Sequence, residues 1–381
     1  MQGRHVFCGS HVTFATYNLR KKLLVPSRPS ICREELLILD HVEVIDRNGR
    51  AGWWRREGRS SRSFKYFDAE GKLVRKKEDL ERIKALVIPP AWKSVRICPR
   101  AGGKLQAIGV DVAGRIQYRY HQKFADRQQK KKFAKIEKFG KFLPALRART
   151  NRDIRLKGFP REKVLAIMIR LVNSLYMRVG GEASVKSFRT YGITTLANNH
   201  LTIRNGCELV FDYVGKSHIR HRKVLVDKKL AELISNLRRL GTSKKLFHYL
   251  DENGEPHSIK PAELNNYLKA ATAPEFSLKD FRTWGASVLA AVSLAEMGPA
   301  ETQTQIKKNI VKAIKHVAEE LGNTPAVCRA SYIHPLILSA YERGTTISDF
   351  RPRSQRSVKK FARLEPEEKA LLRLFKSGRT Q

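Results

Sequence analysis

Acidic residues are scarce in this chain. Against 75 Lys and Arg, its 381 residues include only 36 Asp and Glu, a formal net charge of +39, and the first 33 residues contain no acid at all. Such an excess of one sign makes a folded chain repel itself unless an anion shares its surface, and the usual polyanion is nucleic acid. Cysteine is equally sparse: Cys8, Cys32, Cys98, Cys207 and Cys328 lie far apart, with no CxxC pair and no compact Cys/His spacing. This excludes a disulfide framework and a zinc-finger-type centre, and fits reduced thiols. His218 and His221 of "SHIRHR" are three apart in a segment that reads as a strand, where they point to opposite faces, so we read no metal site there. No run approaches 18 uncharged apolar residues, which excludes a membrane-spanning helix. The basic residues are spread along the chain rather than gathered on one amphipathic helix, which argues against a membrane surface. No GxxxxGK[ST] phosphate loop is present and no internal repeat is visible.

What is there suffices for two domains with a sizeable core: 41% of the residues are hydrophobic. Residues 1–50 read as a basic, disordered extension; a targeting segment or an upstream extension of the true start would look similar. In "WWRREGRSSR" (53–62) aromatic and basic residues mix, either to touch nucleic acid or to pack back on the fold. From about 62 to 121 the pattern is β-rich. "SFKYFDAEGKLV" reads as a hairpin around Ala69-Glu70-Gly71, and "SVRICPRAGGKLQAIGVDVAGRIQYRYH" as three runs separated by glycine-containing turns. In the last run Tyr118 and Tyr120 share one face and alternate with Gln117 and Arg119. The basic stretch 126–138 marks the boundary, giving a β-rich domain over 51–128 and a mainly helical one over 129–381. In the latter, "FPREKVLAIMIRLVNSLYMRVGG" reads as a helix from Pro160 to Gly180-Gly181. A β insert follows at about 200–226, with turns at Asn205-Gly206 and Gly215-Lys216-Ser217. "QIKKNIVKAIKHVAEELG" places Ile306, Ile310, Ile314, Val317 and Leu321 at helical spacing, and "LEPEEKALLRLFK" forms one more amphipathic helix. The fold class is α+β.

The chemistry concentrates around "ELGNTPAVCRASYIHP" (320–335). Tyr332, after a short helix and before His334-Pro335, is either a packing residue or a nucleophile. To attack a phosphodiester it needs fixed cations for the non-bridging oxygens, to which arginine's fork is suited, and an acid for the departing alkoxide. Each candidate also has an ordinary reading. Arg178 stands near a helix C-terminus, where the dipole favours a cation. Lys216 is at a turn tip, where lysines are commonly solvated. Asn323 serves as a helix cap. Arg282, in "KDFRTWGAS", opens an apolar helix at its positively polarised end, a place that asks for an anionic partner.

Taken in the order Arg, Lys, Arg, Asn, Tyr, these residues resemble the catalytic pentad of type IB DNA topoisomerases, specifically the small bacterial and poxvirus-like enzymes. The phrases "VIPPAW", "VRICPRAGGKLQAIGVDVAGRIQYRYH", "RVG", "SFRTYGITTLANNHL", "YVGKS", "KDFRTWGAS" and "GNTPAVCRASYIHP" carry the resemblance, over about residues 62–345. It implies a β-rich N-terminal domain and a larger helical catalytic domain of the tyrosine-recombinase/topoisomerase IB type, closing as a C-shaped clamp on double-stranded DNA. It implies relaxation of supercoiled DNA through a 3′-phosphotyrosyl intermediate, by a cytoplasmic, nucleoid-associated monomer without cofactor, metal or ATP. Tyr332 is then the nucleophile, Arg178 and Arg282 bind the scissile phosphate and Asn323 donates to it. Lys216 protonates the 5′ oxygen, Lys279 assists, and Tyr118, Arg119 and Tyr120 contact DNA. Many relatives carry histidine at the position of Asn323; asparagine donates a hydrogen bond but does not titrate. Two alternatives stand beside this reading. One is a tyrosine site-specific recombinase, which typically has histidine where this chain has Lys279. The other is a non-enzymatic architectural DNA-binding protein in which Tyr332 only packs.

Overall fold

The computed structural model describes residues 45–46, 49–58, 60, 63–241, 243–350 and 363–378. Most of the expected extension over 1–50 therefore lies outside the described residues. The chain forms two compact units that divide between Ala125 and Asp126.

The first unit is built on a five-stranded antiparallel sheet in the order β2-β1-β3-β4-β5. Its strands are β1 (Trp54–Glu57), β2 (Lys65–Phe67), β3 (Lys93–Ile97), β4 (Leu105–Val110) and β5 (Ile116–Tyr120), with the helix α1 (Lys77–Ala85) between β2 and β3. Alternation along the strands sends Val95, Ile97 and Ala107 to one core, with Ile83 of α1 and Trp54. Ile108 and Val110 go to the other, with Ile45 and Trp53. The two tryptophans of "WWRRE" thus pack against different cores, Trp54 as the first residue of a strand the sequence pattern does not announce and Trp53 just before it. Arg56, beside them, spends its fork on the carbonyls of Pro89 (3.1 Å) and Trp92 (2.6 Å), fastening the Pro89-Pro90 bend to β1. The Ala69-Glu70-Gly71 turn is closed by Asp68 N–H to Lys72 O at 2.9 Å, with Gly71 at φ 81°, and Phe67 bridges to Leu73.

The second unit is mainly helical. Its helices are α2 (Gln122–Asp153, which starts just ahead of the dividing point), α3 (Arg161–Leu175), α4 (Glu182–Phe188), α5 (Lys228–Arg239), α6 (Pro261–Ala271), α7 (Leu278–Met297), α8 (Gln303–Leu321), α9 (Pro325–Ser331), α10 (Pro335–Glu342) and α11 (Pro366–Ser377). Between α4 and α5 lies an antiparallel sheet of β6 (Leu201–Arg204), β7 (Glu208–Val214) and β8 (Arg220–Val226). A short pair, β9 (His248–Leu250) and β10 (Pro256–Ser258), precedes α6. Helix α3 is buried on every side from Lys163 to Val172, as an apolar helix without a polar stripe must be, and forms the centre of the core. The periodic residues of α8 are all buried, from Ile306 to Leu321. Helix α11 is held by a buried two-pronged pair: Arg147 of α2 donates to both oxygens of Glu368 at 2.7 and 2.8 Å, and Trp284 of α7 donates to the same carboxylate at 3.1 Å. Removing one partner would strand the other charge, at a cost of about 3–5 kcal/mol.

One boundary differs from the sequence reading. Helix α3 stops at Tyr176, which takes the left-handed conformation (φ 53°, ψ 33°), rather than at Gly180-Gly181. Beyond it the chain leaves the helix, and two carbonyls find partners elsewhere: Ile193 N–H donates to Arg178 O and Thr194 N–H to Val179 O, each at 2.9 Å. Arg178 therefore projects from a non-helical segment beyond the helix, not from its last turn.

Candidate active site

Arg282 is the best-anchored of the candidates. Only 5% exposed, it lies on the second turn of α7, but its fork reaches the C-terminal ends of two other helices. Its Nη1 donates to Tyr176 O at 2.6 Å, where α3 ends, and its Nη2 to Leu321 O at 2.8 Å, the last residue of α8. Carbonyls left open at helix C-termini carry partial negative charge, so they answer the demand that an arginine at a helix start poses. Burial, and then the neighbouring Arg178, lower the Arg282 pKa from its ordinary value, while the Tyr332 phenol acts the other way. The Nε of Arg282 is buried, and the Tyr332 side chain is the hydrogen-bonding group beside the guanidinium.

Asn323 follows Gly322, the left-handed C-cap of α8, and precedes Thr324. The capping role falls to Thr324, whose hydroxyl accepts from Val327 N–H at 3.3 Å, so the reading of Asn323 as a cap is corrected. The asparagine instead accepts a hydrogen bond from Arg178 Nη2 on its Oδ1, at 2.5 Å. That bond fixes the amide's orientation: the oxygen is taken and the Nδ2 group is left as a donor. Nδ2 is buried without a hydrogen-bond partner, with only the Cys328 thiol, a weak acceptor, beside it. A buried donor on Asn323 thus lacks a strong acceptor beside the Arg178–Arg282 pair.

Tyr332 ends α9 with φ −125° and ψ −35° and is partly buried. Its ring centroid is 5.4 Å from the Arg282 guanidinium carbon and 5.5 Å from the Lys132 ammonium. Its backbone is held from three sides. Its N–H donates to Cys328 O at 3.0 Å, and the hydroxyl of fully buried Ser287 lies 3.3 Å from its carbonyl and accepts from His334 N–H at 3.1 Å. On the preceding residues, Gln129 of α2 donates to Ala330 O at 2.9 Å and Lys132 to Ser331 O. Lys132 was not singled out from the sequence, where it is one of three consecutive lysines. Burial lowers its pKa, as does Lys135, against the pull of Asp280.

Lys216 is exposed at the turn between β7 and β8, which Gly215 N–H to Ile219 O closes at 2.8 Å while Ser217 and His218 take positive φ. It lines one small pocket with Arg178, Tyr213, His221, Lys223 and Arg282. A larger cleft of about 920 Å³, lined by Phe133, Glu137, His334 and Leu336 between α2 and α10, contains none of the candidate residues. The candidate residues are therefore set apart by concentrated positive charge and an open donor, not by the size of a cavity. Lys279 is exposed on the first turn of α7, and among the described residues no hydrogen bond or ion pair joins it to the others. No group of three or more His, Cys, Asp or Glu residues placed to hold a metal ion occurs among the described residues.

In the first unit, Tyr118 and Tyr120 are 47% and 49% exposed and stack along one face of β5, centroids 6.2 Å apart. Arg119 points to the opposite face, donates to Val87 O at 2.8 Å and lies over the Trp92 ring. It shares no surface with the tyrosines.

The catalytic core model of eukaryotic DNA topoisomerase I matches residues 121–357, and that of the bacterial DNA topoisomerase IB N-terminal domain matches residues 63–111. DNA topoisomerase 1B of Acanthamoeba polyphaga mimivirus is 32% identical over 286 residues, covering 73% of this chain and 84% of the viral one. DNA topoisomerase 1B of vaccinia virus (strain Copenhagen) is 24% identical over 243 residues, covering 62% and 72%. Among solved structures, a XerH site-specific recombinase bound to difH substrate aligns with 51% of this chain and 49% of its own, at 13% identity and a TM-score of 0.34, too distant to argue from.

Proposed function

The chain belongs to the type IB DNA topoisomerases, in the group that includes the bacterial and poxvirus-like enzymes, and acts as one; we propose that Tyr332 is its nucleophile and that Arg178, Lys216, Arg282 and Asn323 complete its active site. The observation that carries this assignment is the buried Asn323 Nδ2 donor, left open by the Arg178 bond to its amide oxygen, together with a tyrosine whose ring lies 5.4 Å from the buried Arg282 guanidinium. A donor buried without an acceptor costs about 1–3 kcal/mol. A phosphodiester placed over Tyr332 would satisfy it.

The reaction then runs as follows. The Tyr332 phenol gives its proton to solvent water as its oxygen bonds to phosphorus, and the bond from phosphorus to the 5′ oxygen breaks. The Lys216 ammonium gives a proton to that oxygen as it leaves. Arg178, Arg282 and the Asn323 amide hold the non-bridging oxygens, where negative charge accumulates, and being fixed in advance they need little rearrangement in the transition state. A phosphotyrosyl ester retains the energy of the broken diester, so the freed strand swivels and the reverse reaction reseals it without ATP. Arg178 has a second task, that of keeping the Asn323 amide turned with its donor toward the phosphate. Lys279 we leave at the edge of this arrangement, as an exposed cation near the DNA. Tyr118 and Tyr120 present their hydroxyls to phosphates of duplex DNA, whereas Arg119 serves the sheet. The enzyme works as a monomer on double-stranded DNA in the bacterial nucleoid. A charge of +39 supports the DNA partner.

The experiment is relaxation of a supercoiled plasmid in EDTA without nucleotide. A ladder of progressively relaxed topoisomers is the expected outcome. Plasmid that stays fully supercoiled until magnesium or ATP is added would contradict the proposal.

A further inference from the structure

One buried imidazole in the site has no part in the chemistry described. His221 of β8 is 7% exposed, and its ring lies between two glycines from separate segments. A Cβ added at Gly215 would fall 2.5 Å from the ring's Cδ2, and one added at Gly322 would fall 2.1 Å from its Cε1. No real side chain tolerates such distances, so the ring fills its slot only because both neighbours lack a Cβ. Gly215 immediately precedes Lys216, and Gly322 immediately precedes Asn323.

The slot sits where strand β8 meets the end of α8. Lys223, two residues along and therefore on the same face of the strand, donates to Glu320 O and pairs with its carboxylate at 3.2 Å. His221 is the contact nearer the turn. The Tyr213 ring lies against it, centroids 5.3 Å apart. Burial, and then Arg178, Lys223 and Arg282, lower the imidazole's pKa to about 4, so at neutral pH the ring is uncharged among three cations. The Lys216 turn itself is exposed and closed by one backbone hydrogen bond, so the ring packed against Gly215 is its tie to the end of α8.

We propose that His221 is a positioning residue: its ring is the spacer that holds the Lys216 turn at a fixed distance from Asn323, so that the ammonium meets the leaving 5′ oxygen while the amide holds the phosphate. This rests on Lys216 being the general acid. Its loss would act through the acid rather than through binding, and a displacement of about 1 Å in a catalytic group slows a reaction by up to about 100-fold.

The test measures single-turnover cleavage by the parent enzyme, His221→Ala, Lys216→Ala and the double variant. Each is given a DNA substrate with the ordinary 5′-bridging oxygen and one with sulfur, a leaving group that needs no proton. With oxygen, His221→Ala is expected to be about 10- to 100-fold slow. Sulfur restores most of that loss, and adding His221→Ala to Lys216→Ala costs little more, because both changes disable one device. Should His221→Ala not fold, Gly215→Ala is the second variant. Its backbone (φ −100°) accepts a side chain, its Cβ displaces the ring, and the same pattern is expected. Parent-like cleavage by these variants overturns the proposal. So does a defect equal on both substrates, or one that multiplies with that of Lys216→Ala. If sulfur fails to rescue Lys216→Ala itself, the acid assignment falls and this inference with it. If Lys216→Ala is rescued and His221→Ala is not, only the spacer role falls.

Discussion

Tyr332→Phe is expected to abolish relaxation, lowering the rate by at least about 10⁴-fold, because on the proposed mechanism no other group stands in for the lost covalent nucleophile. The substitution removes one oxygen and keeps the ring, which packs against the main core. The backbone ties through Ser287, Cys328, Gln129 and Lys132 do not involve the phenol oxygen, so the loop keeps its place. DNA affinity is expected to change little, since a surface of this charge binds the duplex mainly through phosphates spread over the protein. The checks are a relaxation gel, a detergent-quenched search for protein-linked DNA, and a filter-binding titration. Relaxation by the phenylalanine variant would remove Tyr332 from the mechanism.

Lys216→Ala is the second large effect. Loss of a general acid slows cleavage by about 10²–10⁴-fold. The residue is exposed on a turn, so stability should shift by no more than about 0.5 kcal/mol. The defect should largely vanish when the bridging atom is sulfur, since a thiolate departs unprotonated. A lysine that merely attracted DNA would instead show its loss at every leaving group and in affinity. A defect of equal size on both substrates therefore identifies Lys216 as a binding cation. Lys279, exposed and unconnected to the cluster among the described residues, serves as the comparison, with a smaller loss expected on either substrate.

Much of the framework could be read from the pattern of residues. Strands β3, β4 and β5, the Asn205-Gly206 turn, and helices α8 and α11 follow from alternation, turn chemistry and helical spacing, which are local properties. The end of α3 could not be, because Tyr176 turns left-handed and the carbonyls of Arg178 and Val179 then pair with residues 193 and 194. Strand β1 is hidden by its basic residues, although Trp54 in it and Trp53 just before it serve two cores. In the site, residue order and family likeness picked out Arg178, Lys216, Arg282, Asn323 and Tyr332, but not what holds them. That Arg282 grips the ends of α3 and α8, and that Arg178 sets the Asn323 amide, are contacts between residues up to 145 positions apart, with no local signal. Lys132 was masked by the lysines around it. In the sequence His221 suggests at most a metal ligand, whereas its neighbours in the fold are glycines and cations.

The covalent bond itself is the claim most open to direct measurement. Enzyme caught on nicked or suicide DNA is denatured, digested with nuclease and protease, and the nucleotide-bearing peptide is sequenced by mass spectrometry. The account predicts a single modified peptide from the 320–335 region, with a 3′-phosphoryl nucleotide on the Tyr332 oxygen. A nucleotide on any other residue, or attached through its 5′ end, would contradict it.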